Sequence, residues 1–162
     1  MLSMALDFLP GSDVLPPGRH TATVDEVEAA FVDAFSNSTR RRPLFESWLA
    51  VREAITRIVT VETEWLDGSY VTAKDEPNDI DLVTHILGTS LDGLDAADQA
   101  MLRGLTSNKL SEALHGCDSY ICPVYPPGHV HHGAYQAAFA YWDKWFSHDR
   151  NGQPKGYVEV TA

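Results

Sequence analysis

Apolar positions in the first third of the chain recur at steps of three and four. Val27, Phe31, Ala34 and Phe35 form one such face, and Leu44, Trp48, Val51, Ile55 and Ile58 form a second, so two helices are predicted there. Thr23 with Glu26 three residues later is a capping box that starts the first helix, and Asn37 to Pro43 separates it from the second. The rhythm then changes. Val61 to Leu66 reads as a short strand ended by a Gly68-Ser69 turn, and Asp79 to Ile86 as a second strand. Asp95 to Asp98 opens a helix running to about Leu105, and Asn108 to Leu114 forms another, closed by Gly116. Cys117 to Val124 is a third strand, stopped by Pro126-Pro127-Gly128. Tyr135, Phe139, Trp142 and Phe146, flanked by Ala138, Tyr141 and Trp145, mark an aromatic helix whose stripe is read first as core packing. Gly152 and Pro154 end that element, and Gly156 to Thr161 alternates as a last strand. Helices first, then strands interleaved with helices, predict an α+β (mixed α/β) domain: a small mixed sheet packed by helices. One domain is expected over residues 1–162. Its opening 22 residues, with Pro10, Pro16, Pro17 and Gly18, form an extended leader packed on the surface.

Composition supports folding: 44% of residues are apolar and 22% charged, unlike a disordered chain. No apolar run reaches the ~18 residues of a membrane span. Met1 to Pro10 contains Asp7 and neither Lys nor Arg, unlike a secretory signal, so a cytoplasmic location is expected. Twelve Lys and Arg against 23 Asp and Glu give a net charge of −11, which argues against holding long nucleic acid by counterion release. Cys117 and Cys122 are five apart. On one strand they face opposite sides, so both are expected as free, buried thiols.

The carboxylate excess directs attention to Leu66-Asp67-Gly68-Ser69 and Asp79-Ile80-Asp81-Leu82. On a strand, Asp79 and Asp81 point the same way while Ile80 and Leu82 anchor the core. Two carboxylates on one face repel unless a cation joins them. Mg2+ (or Mn2+) suits them, because it combines carboxylate and phosphate oxygens. Gly68 lets a backbone approach phosphate closely, and Ser69 offers a hydroxyl and an N–H at the start of a short helix. A phosphate-holding turn beside paired carboxylates is a device for metal-bound nucleoside triphosphate, ATP foremost. Asp118 is the candidate third carboxylate, completing a two-metal site; its alternative is a turn aspartate after Gly116.

Gly68-Ser69, nine residues, then Asp79-Ile80-Asp81-Leu82 resembles the signature of the DNA polymerase beta-like nucleotidyltransferase superfamily. The wider chain is similar to a small bacterial family of uncharacterised nucleotidyltransferase-like proteins. The supporting pieces are Leu15 to His20, Asp67 to Thr72 with Lys74, Pro77 to Asp81, Asp149-Arg150 and Pro154 to Gly156. The resemblance implies a nucleotidyltransferase-like fold with acids on adjacent strands. It implies transfer of a nucleoside monophosphate to a hydroxyl on a protein, an RNA end or a small molecule, and a place in toxin–antitoxin or phage-defence pairs.

Other residues carry two readings each. Lys74 touches a triphosphate or is a solvated loop lysine, and Thr72 assists Ser69 or caps a turn. Arg150 and Lys155 bind phosphate or are surface charge. Arg40, Arg41 and Arg42 are a solvated helix entry or meet an acidic partner or nucleic acid. His129, His131 and His132 lack the spacing of a zinc site and are read as loop or substrate contacts. A chain this short leaves little surface for a large acceptor, so a protein partner or a homodimer is expected. The alternative of another class is a nucleotide-sensing or partner-binding module with the same fold and no turnover.

Overall fold

The computed structural model describes residues 6–107 and 109–161. Met1 to Ala5 of the expected leader, Asn108 of the expected fourth helix and Ala162 lie outside the described residues. Five strands form one mixed sheet: β1 (Gly18–Ala22), β2 (Val61–Asp67), β3 (Ile80–Leu87), β4 (Cys117–Val124) and β5 (Gly156–Thr161), in the order β1-β5-β2-β3-β4. β2 runs antiparallel to both β3 and β5, while β3 pairs with β4, and β1 with β5, in parallel. The helices are α1 (Val24–Phe31), α2 (Arg41–Thr56), α3 (Ala96–Leu105), α4 (Lys109–His115) and α5 (His132–Phe146). The α+β class and the mixed sheet packed by helices are as the periodicity predicts.

The two sheet faces separate by alternation. Leu66, Ile80, Leu82, Cys117 and Val158 look into a large core with Phe31, Trp48, Val51 and Ile55 of α1 and α2 and Leu102 and Leu105 of α3. Trp65, Val83, Cys122 and Tyr157 look the other way and are covered by α5 through Tyr135, Phe139, Trp142 and Phe146. Each fully buried side chain of this size contributes roughly 1.5–3 kcal/mol. The aromatic stripe is thus core, whereas Tyr141 and Trp145 stand exposed and stacked, with ring centroids 6.3 Å apart. Cys117 and Cys122 are free and buried on opposite faces, as their odd spacing requires.

Thr23 and Glu26 make the reciprocal bonds of the capping box. The leader is more than a surface strap. Leu15 is fully buried and its carbonyl accepts from the Gly156 N–H, and the following residues add β1 to the sheet edge. Only five residues long, with Gly18 at its head, this strand gives little alternation to read. On the large-core side Glu64 is buried beside the Arg52 guanidinium at 3.1 Å, and burial pushes its carboxyl up to about 7. No helix among the described residues is long and apolar enough to cross a membrane.

Candidate active site

β2 ends at Asp67, and twelve residues separate it from β3, far more than a tight hairpin needs. The register brings Asp67 opposite Asp81 and Asp81 opposite Asp118. Three carboxylates therefore form a row across three neighbouring strands, whose backbones lie about 4.8 Å apart. They lie on the face that α5 covers, at the sheet end beyond Trp65 and Val83. Asp79, one residue before β3, shares the face of Asp81 by alternation.

Like charges in such a row raise one another's proton affinity. The Asp81 carboxyl is pushed up to about 7, first by burial and then by Asp67, Asp79 and Asp118. Asp79 is raised by burial, Glu112 of α4 and Asp118. Asp67 is raised to about 6 by burial, against the pull of the Lys155 ammonium, which binds its carboxylate. Asp118 Oδ1 is buried and has no hydrogen-bond partner among the described residues.

Gly68 holds φ +78 and ψ −164, a backbone conformation confined almost wholly to glycine. A Cβ there would lie 2.0 Å from Asp81 Oδ2. Gly68→Ala is therefore expected to cost about 1–3 kcal/mol in strain alone and to displace the Asp81 carboxylate. Thermal melting checks the first effect, and the Asp81 carboxyl shift in NMR the second.

Ser69 opens a 3-10 turn, Ser69–Val71, rather than a helix long enough to direct its amides at an anion. Thr72 caps that turn: its hydroxyl donates to the Ser69 carbonyl at 2.7 Å and accepts from the Lys74 N–H. Lys74 is exposed, and its charge acts on Asp79. Arg150 is exposed in the turn before β5. Lys155 belongs to the acid end itself, with its ammonium on Asp67 and on the Phe146 carbonyl at 2.8 Å.

Of the three arginines at the head of α2, Arg41 departs from the solvated entry expected of it. Arg41 is buried, and its guanidinium donates to the carbonyls of Phe31 (3.0 Å), Tyr70 (2.7 Å), Thr72 (2.7 Å) and Lys74 (2.5 Å). Arg40 donates to the carbonyls of Pro77 and Asn78. Together they clamp the segment joining the Gly68-Ser69 turn to Asp79. Arg40 and Arg42 are both exposed, Arg42 being paired with Glu28 and Asp33. His129 and His131 stack around Tyr125, and His132 meets the Tyr125 carbonyl at 2.7 Å.

Among the described residues no group of three or more His, Cys, Asp or Glu side chains is gathered to hold a metal ion by itself. The donor set still fits Mg2+, an ion bound through one or two carboxylates plus substrate phosphates rather than by an all-protein cage. An Asp118 oxygen unpartnered among the described residues, beside an Asp81 whose proton affinity its acidic neighbours raise, is a pair of oxygen donors open to a cation. Asp79, Asp81 and Asp118 are the residues that would hold it.

A family model, described as a family of unknown function (DUF6932), matches residues 6–161. The chain belongs to the DUF6932 family. No curated protein matches it, and no solved structure matches it. That match takes in nearly all of the DUF6932 chain described above, including β1, both arginines and Lys155. Sequence reasoning missed Asp67, Glu112, Arg40 and Arg41 as parts of the site. For Asp67 a signal was present: it directly precedes the Gly68-Ser69 turn.

Proposed function

We propose that this DUF6932 protein is a divalent-metal-dependent nucleotidyltransferase, moving a nucleoside monophosphate from a triphosphate such as ATP to an acceptor hydroxyl. The observation that carries the reading is the in-register placement of Asp81 beside Asp118, next to a Gly68 whose missing side chain makes room for the Asp81 carboxylate. The Gly68-Ser69 turn would receive the terminal phosphates, with Lys74 close by. Asp79 and Asp81 would hold the ion. When bound, that ion would neutralise the triphosphate and polarise the phosphoryl oxygens. Asp118 would accept the acceptor hydroxyl's proton. The acceptor oxygen then bonds to the α-phosphorus, the bond from that phosphorus to the β-phosphate oxygen breaks, and pyrophosphate leaves. The protein's part is orientation and charge compensation. The net charge of −11 favours a protein side chain or a small molecule over long RNA as acceptor.

The test is incubation with α-labelled triphosphates, Mg2+ or Mn2+, and candidate acceptors or lysate. Label incorporation that disappears in Asp79→Ala supports transfer. Nucleotide binding with neither incorporation nor pyrophosphate release, across all acceptors tried, would leave a nucleotide-sensing module in its place.

A further inference from the structure

The acid row has a cation already built into it. Lys155 precedes β5, and its position is fixed at several points. Its backbone N–H donates to the Ser147 carbonyl at 2.8 Å. Its ammonium donates to the Phe146 carbonyl at the end of α5 and to the Asp67 carboxylate. The lysine side chain is 12% exposed and that of Asp67 8%, so the pair is shielded from salt. The charge reaches past Asp67, favouring the ionised form of Asp81 as well. An ammonium has three N–H groups, and those two contacts use two of them.

Asp81 stands between two ends of this row, Asp118 on one side and Asp67 on the other, and a divalent ion at the Asp67 end would have to share its carboxylate with Lys155. Binding there would require expelling a shielded ammonium from its only carboxylate among the described residues. That costs the several kcal/mol of leaving a buried charge unpaired. Resting on the nucleotidyltransferase reading, we infer that Lys155 is a built-in cation at the Asp67 end of this site: Asp67 holds the lysine in place, and its ammonium keeps a divalent ion from that end. Asp67 is on this account a positioning residue.

Mn2+ alone, counted by electron paramagnetic resonance titration without nucleotide, tests the inference. Lys155→Gln keeps a donor for the Asp67 carboxylate and the Phe146 carbonyl but removes the charge. It is expected to take up one Mn2+ more per chain than wild type. Lys155→Arg should match wild type, and the Lys155→Gln, Asp67→Asn double variant should lose the extra ion. Lys155→Met, with the stem but no donor, provides a second measurement of the same gain. Equal Mn2+ counts in wild type and both neutral variants would overturn the inference, as would an extra ion that survives loss of the Asp67 carboxylate. A failure of the transfer reading shows separately, in the incorporation assay, and leaves these counts as they are.

Discussion

Asp81→Asn is expected to make the metal-free protein more stable at pH 8 and, under the proposed function, to lower nucleotidyl transfer at least about a thousandfold, which corresponds to about 4 kcal/mol of transition-state stabilisation. Both effects have one origin. Asp81 is the middle member of the carboxylate row, with Asp67 and Asp118 on the flanking strands and Asp79 two residues away. Burial and these neighbours push its carboxyl from 3.8 up to about 7. The folded protein therefore holds a proton that the unfolded chain has released, through the window between those two values. By linkage, stability is greatest below it and falls as pH rises through it. At pH 8 the folded state carries the full cost of an ionised Asp81. Asparagine cannot ionise, so it removes that cost, on the order of 4 kcal/mol for a shift of this size. Glu64, raised to about 7 on the opposite sheet face, gives a slope of the same sign, so the variant flattens the pH dependence without abolishing it. Mg2+ with a triphosphate should reverse the ranking, since ligand bound to the native state stabilises it and asparagine cannot replace the lost charge. Thermal melts at pH 5.5 and 8, with and without Mg2+ and a non-hydrolysable ATP analogue, measure all of this. A variant melting below wild type at pH 8 without metal would contradict the account.

How far this site could be seen beforehand differs by residue, for physical reasons. β4 and β5 begin and end where their alternation and flanking glycines and prolines set them, and the capping box at Thr23 and Glu26 is a local hydrogen-bond pattern. Such features depend on neighbours a few residues away, which a linear reading contains. Asp118 was legible as a candidate because it begins a strand, but its place opposite Asp81 depends on the parallel β3–β4 register, set by packing of the intervening helices. Asp67 escaped because its role comes from the antiparallel register of β2 and from Lys155, 88 residues away. β1 escaped because its five residues pair with the last strand of the chain. Arg41 is the sharpest case. In sequence it is one of three adjacent arginines, and what separates it from Arg42 is only the direction in which a helix turn points each one.

Arg41→Met is accordingly expected to cost about 3–5 kcal/mol, enough to unfold much of a domain of ordinary stability. The guanidinium is buried and meets no carboxylate at hydrogen-bond distance among the described residues. Carbonyls from α1's last residue and from Tyr70, Thr72 and Lys74 solvate it, and the Phe35 ring lies 3.8 Å from its centre. Burial lowers its proton affinity, and Tyr70, Asp75 and Glu76 oppose that shift. Methionine fills the stem but leaves those carbonyls unsatisfied in the interior, each at about 1–3 kcal/mol before relaxation. Arg41→Lys separates stability from function. It keeps the charge on a point with three donors and loses the planar fork that reaches several carbonyls at once. The fold should survive with a reduced melting temperature, while the segment between Val71 and Asp79 loosens. Hydrogen exchange reads this directly: the Ala73 amide, bonded to the Asp13 carbonyl, should lose protection first, while the β3–β4 ladder keeps its own. Affinity for the metal-bound triphosphate should fall at least about tenfold in the same variant, because Ser69 and Asp79 sit at the two ends of the clamped segment. Full retention of that affinity alongside lost Ala73 protection would separate the clamp from the site, and Arg41 would then be a stability residue alone.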